Sequence, residues 1–251
     1  MGFAAIIVGD EILSGRREDK HLSKTIGVLR ARGLELAWAQ YIGDDRERLT
    51  QTLRRSLAGD EVVFSFGGIG VTPDDHTRQA AAAAAGVAIE LHPDAEREIR
   101  ARFGDQITPQ RLKLGEFPQG CEIIPNPYNR IPGFSLKRHH FLPGFPIMAW
   151  PMMEWVLDTC YRDLHHAAPH AEGSVRVFET YESALLDLMH SVELAYADVK
   201  VFSLPCLGGN GVQRHIELGV KGDSAQVAAA LAMIRGEIAL RGLPFEDETE
   251  R

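Results

Sequence analysis

EVVFSFGGIGVTPDDHTR, residues Glu61 to Arg78, decides the fold. Val62, Val63, Phe64 and Phe66 form a β-branched and aromatic run that predicts a buried strand. Gly67, Gly68 and Gly70 follow, then Thr72, Pro73, the adjacent Asp74 and Asp75, and a helix carrying Ala80 to Ala85. Strand, glycine turn and helix N-terminus build an anion site, because bare N–H groups converge and the helix dipole favours negative charge. Two carboxylates beside a phosphate repel it unless a divalent cation such as Mg²⁺ lies between them. The stretch therefore points to a metal-assisted site for a phosphorylated ligand.

The same alternation extends towards the N-terminus. Phe3 to Val8 reads as a buried strand, and GDEILSG (Gly9 to Gly15) as the loop after it. Leu22, Ile26 and Leu29 recur at helical spacing between His21 and Arg32, with Gly33 as the stop. Leu34 to Ile42 predicts a second strand, and Asp44 caps a helix with Leu49, Leu53 and Leu57 on one face, ended by Gly59. Alternating strands and helices imply a doubly wound, mainly parallel α/β sheet with right-handed crossovers. Ligands of such sheets bind outside the carboxyl ends of the strands, where strand order reverses. With order 2-1-3, Gly9, Asp10 and Glu11 face Gly67 to Asp75. Taken singly, each aspartate fits a helix cap equally well. Two acidic loops facing one glycine turn favour a site, with Asp74 and Asp75 as catalytic groups and Asp74, Asp75 and Asp10 as metal ligands.

Other chemistries are excluded. Gly68-Ile69-Gly70 is followed by Val71-Thr72-Pro73, so proline stands where a dinucleotide fingerprint needs its third glycine. The chain has neither a P-loop signature nor the G-x-S-x-G of a hydrolase elbow. A net charge of −8 argues against an extended nucleic-acid surface. Cys121, Cys160 and Cys206 are scattered and odd in number, which suits a reducing cytoplasm. No apolar run approaches the roughly 18 to 20 residues that cross a membrane. The expectation is a soluble cytoplasmic protein with no membrane or nucleic-acid partner.

Four motifs in order carry a family resemblance: GDEILSG, GGIGVTPDDHTR, PNPYNRIPGF (Pro125 to Phe134) and FLPGFPIMAWPM (Phe141 to Met152). Together they resemble the molybdopterin-binding MoaB/Mog family, most closely its CinA (competence/damage-inducible) branch. The resemblance implies a crevice binding a nucleotide or pterin phosphate through Gly9, Asp10, Glu11, Gly67, Gly68, Gly70, Thr72, Pro143 and Gly144. It also implies chemistry at phosphoric anhydrides. In the CinA branch this is metal-dependent ADP-ribose pyrophosphatase activity, and in the Mog branch adenylylation of molybdopterin. A non-catalytic pterin or nucleotide binder is the third reading, and homo-oligomers are implied by both branches. The chain departs from the family pattern at Val71, at Ile147-Met148, at Asn129-Arg130-Ile131 and at Asp19-Lys20-His21. Arg130 is either a phosphate partner or a solvent-facing side chain.

Residues 1–168 form the molybdopterin-binding-like domain in this reading, residues 172–244 a small α+β domain similar to the KH-like piece of CinA proteins, and 245–251 a disordered acidic tail. Within the second domain the pattern predicts strands at Arg176 to Glu179, Val199 to Leu204 and Gln213 to Val220, the last two joined at Gly208-Gly209-Asn210-Gly211. A helix covers Glu182 to Leu194, and Ser224 caps a last one. The glycine turn joins strands, unlike the RNA-binding loop of a KH domain, which joins helices. A CinA deamidase domain would lie beyond residue 251, so that activity is not implied. His165, His166 and His170 around Pro169 read as a solvated linker or a metal site. His139 and His140 border the crevice, His76 is a proton donor or a surface group, Pro151 starts a helix, and Trp150 and Trp155 are packing residues.

Overall fold

A computed structural model of the protein describes residues 2–166, 170–209 and 211–248. The chain divides into two compact units after His165. The first contains β1 (Phe3–Val8), α1 (Asp10–Leu13), α2 (His21–Arg30), β2 (Leu36–Ile42), α3 (Arg46–Ser56), β3 (Val62–Phe66) and α4 (Thr77–Ala85). It continues with β4 (Ile89–Leu91), α5 (Pro93–Phe103), α6 (Pro109–Leu112), β5 (Glu116–Pro118), β6 (Glu122–Ile124), β7 (Gly133–Leu136), β8 (His139–Leu142) and α7 (Pro146–Cys160).

The central sheet has the order β2-β1-β3-β8-β7-β6. Its first four strands run parallel, whereas β7 and β6 are antiparallel to their neighbours. Successive side chains of β1 feed opposite faces, as strand geometry requires. Ala4, Ile6 and Val8 pack with Leu49 and Leu53 of α3 and with Ala80 and Ala81 of α4. Phe3, Ala5 and Ile7 pack with Val28 and Leu29 of α2 and with Met152, Met153 and Val156 of α7. Each large apolar side chain buried this way contributes about 1.5–3 kcal/mol. A sheet covered on both faces is the doubly wound arrangement.

Several local expectations change. Asp10 to Leu13 forms a short helix instead of a loop. The cap of α3 is Asp45, whose carboxylate accepts from the Arg48 N–H at 2.7 Å, so Asp44 is free for other work. Pro146 starts α7 and Pro151 lies inside it. His139 and His140 do not border the crevice; both are buried in β8, and their side chains leave the sheet on opposite faces. His139 Nε2 lies 2.8 Å from Ser56 Oγ, and His140 bridges Ser135 Oγ and Tyr161 Oη, each at 2.8 Å.

The carboxyl ends of β1, β3 and β8 meet at Gly67, which donates its N–H to Leu142 O at 2.9 Å. A Cβ on Gly67 would collide with the Val8 carbonyl oxygen, and one on Gly144 would reach within 3.4 Å of Gly67 Cα. Gly67 and Gly68 take φ of 103° and 67°, where L side chains are strained. Thr77 Oγ1 donates to Gly67 O at 2.9 Å and Thr77 N–H to Gly68 O at 2.9 Å, tying α4 onto the turn.

The second unit contains β9 (His170–Phe178), α8 (Leu186–Ala195), β10 (Val199–Cys206), β11 (His215–Asp223), α9 (Ser224–Leu240) and β12 (Phe245–Asp247). Its antiparallel sheet has the order β10-β11-β9-β12. Val175, Val177, Ile216, Leu218 and Val220 share one face and pack with Val192 of α8 and with Val227, Leu231 and Ile234 of α9. Asp223, one residue before the expected Ser224, caps α9 by accepting from the Ala225 and Gln226 N–H groups. The tail expectation fails at its start, since Phe245–Asp247 pairs with Val175–Val177 of β9. Pro169, Asn210 and residues 249–251, named in the expectations above, lie outside the described residues.

Two tests follow from this packing. Burial depresses His139 from 6.5 to about 4 and His140 to about 3. An unfolded chain therefore takes up protons first as pH falls, so stability drops between pH 6.5 and about 4, by up to ~1.4 kcal/mol per pH unit for each histidine. Thermal unfolding across that range should show the decline, and His140→Gln should flatten it; an unchanged Tm from pH 7 to pH 5 contradicts the assignment. Separately, Gly67→Ala is expected to cost at least ~2 kcal/mol through strain and the Val8 collision. Urea denaturation would read this as a lower midpoint at unchanged slope.

Candidate functional site

A cavity of about 460 Å³ opens at the carboxyl ends of the strands, within the usual range for small-molecule sites. One wall is the turn from Gly67 to Thr72 together with Asp74 and Asp75. Gly9, Glu11, Arg17 and Asp44 form the opposite wall, and Pro143, Gly144 and Phe145 a third. Asn126, Asn129 and Pro132 close the remainder. Strand order 2-1-3 brings these loops together, because β1 lies between β2 and β3.

The turn supplies backbone donors. Gly67 N–H is spent on Leu142, and Thr72 N–H donates to Asp75 Oδ2 at 2.8 Å. Gly68, Ile69 and Gly70 N–H groups have no acceptor among the described residues. The N-terminus of α4 contributes less than expected, because its Thr77 N–H is turned back onto Gly68 O. The uncommitted donors at the cavity therefore belong to the glycine turn itself. Arg78 locks this turn from behind. It is 4% exposed, and its guanidinium donates to Gly70 O at 2.6 Å, to Glu116 O at 3.0 Å and to Lys113 O. Burial lowers its pKa, opposed by the carboxylates of Glu116 and Asp75.

The acidic residues divide by role. Asp75 accepts from both the N–H and the hydroxyl of Thr72, so it shapes the loop as well as lining the cavity. Asp74 is exposed at the mouth, and hydrogen bonding from Thr72 holds its carboxyl below the usual range. Asp10 does not line the cavity. Its Oδ1 accepts from the Asp44 N–H at 3.2 Å, while the Asp10 N–H donates to Asp44 Oδ2 at 2.9 Å. Asp44 takes the cavity position instead, and burial raises its pKa, with Asp10, Glu11 and Asp74 adding repulsion. Among the described residues, no three His, Cys, Asp or Glu side chains converge closely enough to hold a metal ion. The expected trio Asp74, Asp75 and Asp10 is separated because Asp75 turns to Thr72 and Asp10 to Asp44.

Gly9, Glu11, Gly67, Gly68, Gly70, Thr72, Asp74, Asp75, Pro143 and Gly144 all line the cavity as the sequence suggested. His76 does not line it, and Arg130 pairs with Glu98 at 2.9 Å on the exposed surface. Trp155 is 40% exposed and lines a separate cavity of about 340 Å³. Sequence reading passed over Asp44, Arg17, Asn126 and Phe145. For Asp44 the signal was available: it follows the carboxyl end of the strand beside β1.

Residues 4–162 match the family described as "Probable molybdopterin binding domain". A CinA-like protein of Geobacter sp. (strain M21) is 31% identical over 213 residues, covering 78% of this chain and 50% of the relative. A protein of Caldivirga maquilingensis is 30% identical over 195 residues, covering 74% of each. The crystal structure of the protein CinA with unknown function from Thermoplasma acidophilum is 28% identical with a TM-score of 0.58, over 63% of this chain and 98% of that one. The chain spans about half the length of the CinA-like relatives it matches. It belongs to the molybdopterin-binding domain family, in its CinA-like branch.

Proposed function

We propose that the crevice binds a phosphorylated nucleotide or pterin and, with a divalent cation, hydrolyses the anhydride of a nucleoside diphosphate derivative such as ADP-ribose. The observation that carries this reading is one cavity faced by the uncommitted N–H groups of Gly68, Ile69 and Gly70 and by the carboxylates of Glu11, Asp44, Asp74 and Asp75. The N–H groups suit phosphate oxygens. The carboxylates repel them unless positive charge intervenes. Mg²⁺ commonly takes one or two carboxylates, keeps several waters and completes its shell with substrate phosphates, so a wall without a three-ligand cage suits it. When bound, such a cation stabilises charge on the bridging oxygens and acidifies water.

The chain's own residues divide the remaining work. Gly68 to Gly70 orient the phosphate, and Asp75 holds the loop that presents them. Asp74, ionised at the mouth, is the foremost cation contact. Asp44, whose pKa burial raises and which lines the crevice, serves as the general base.

Incubation with ADP-ribose, NADH and FAD in Mg²⁺, Mn²⁺ or Co²⁺ should release AMP. Asp74→Asn should lower kcat about 10²-fold or more with Tm unchanged. Asp75→Asn is the less informative variant, because it also disturbs Thr72. No AMP from any substrate, with ligand binding undiminished in Asp74→Asn, would leave a binding protein. Transfer of AMP from ATP to a pterin phosphate would make the protein an adenylyltransferase.

A further inference from the structure

A second cavity, of about 310 Å³, adjoins the crevice. Val8, Glu11, Arg17, Gly144 and Phe145 line both. Among the residues lining the crevice, Arg17 carries the one Lys or Arg side chain. Its Nη1 lies 3.7 Å from Glu11 Oε1, and its guanidinium 5.9 Å from the centroid of the Phe145 ring. Both side chains of the ion pair are exposed, and pairs this long and wet are weakly held. Arg17 can therefore exchange Glu11 for an anionic ligand without disturbing the fold. Its planar fork of donors matches phosphate oxygens in a way that a lone ammonium does not.

The second cavity has a different character. Ile7, Ile12, Phe66 and Pro146 supply apolar surface, Glu11, Glu18 and Asp19 bring carboxylates, and Lys20 brings one ammonium. Asp19 is already committed, accepting from the His21 and Leu22 N–H groups and from Tyr41 Oη. Glu11 and Glu18 are left to accept from a ligand. Carboxylates accept from hydroxyls and the Lys20 ammonium donates to them, so both signs suit a polyol. His21 makes a rigid wall, stacked on Phe66 with centroids 4.5 Å apart and with Nε2 3.1 Å from Gly144 O.

The geometry points to Arg17 as a specificity-determining residue that holds the diphosphate of a two-part ligand, with the second cavity as the subsite for its uncharged, hydroxyl-bearing sugar half. This rests on the diphosphate reading of the crevice and adds which half goes where. Nucleotides ending in a bare phosphate would leave the apolar surface of the subsite uncovered and its carboxylates without a hydroxyl donor.

Calorimetry with the full chain and Mg²⁺ tests it, using ADP-ribose, ADP and AMP as probes. ADP-ribose should bind about tenfold or more tightly than AMP, and Arg17→Ala should remove most of that preference while changing AMP binding little. In turnover, Arg17→Ala should raise KM for ADP-ribose more than it lowers kcat. Equal affinity for ADP-ribose and AMP in the parent, or equal weakening of both in Arg17→Ala, overturns the subsite. Selective ADP-ribose binding without AMP release would remove the hydrolase reading and keep the subsite. Failure of all three probes to bind removes both.

Discussion

The close approach of three strand ends at Gly67 is the constraint on which the crevice depends. Val8, Leu142 and Gly144 press on this residue from β1 and from the end of β8, and no side chain fits between them. The chain turns there with positive φ, and the following residues, Gly68, Ile69 and Gly70, line the cavity. A bulkier residue would force β1 and β8 apart, and the two lips of the cavity would separate with them. The apolar faces of the sheet supply stability, whereas the glycine supplies position.

Buried polar groups complete that positioning. Arg78 satisfies the carbonyls of Gly70, Lys113 and Glu116 at once, joining the glycine turn to the segment before β5. A guanidinium removed from water is tolerated because both of its terminal nitrogens meet carbonyl acceptors, while Nε is buried without one among the described residues. His139 and His140 do similar work inside the sheet, holding Ser56 on one face and Ser135 with Tyr161 on the other. Each of these side chains resembles a functional residue when read from its letter alone, and each is structural.

The electrostatics of the crevice are asymmetric. Donors lie on the β3 loop, carboxylates lie on both walls, and the single lining cation lies at the boundary with the adjoining cavity. Asp44 shows the cost of this concentration, since burial and three neighbouring carboxylates all disfavour its charge. A phosphorylated ligand with a cation would relieve that repulsion, which is the physical basis of the proposed reaction.

Strand and helix periodicity, the glycine turn after β3 and the acidic loop after β1 were legible without coordinates, because they depend on neighbours in sequence. Hydrophobic alternation determines which faces are buried, and a glycine run after a buried strand determines a tight turn. What the sequence could not determine was which acid faces the ligand. Asp10 and Asp44 each donate a backbone N–H to the other's carboxylate across 34 residues, and Asp44, not Asp10, lines the cavity. The same holds for Arg17, whose place between two cavities depends on Phe145, and for Phe245–Asp247, which becomes a strand only because β9 offers it an edge. By itself the sequence determined a doubly wound sheet with a glycine turn at its strand ends. The tertiary structure decided the direction of each charged side chain, because long-range packing and hydrogen bonding choose among rotamers that local sequence leaves nearly equal in energy.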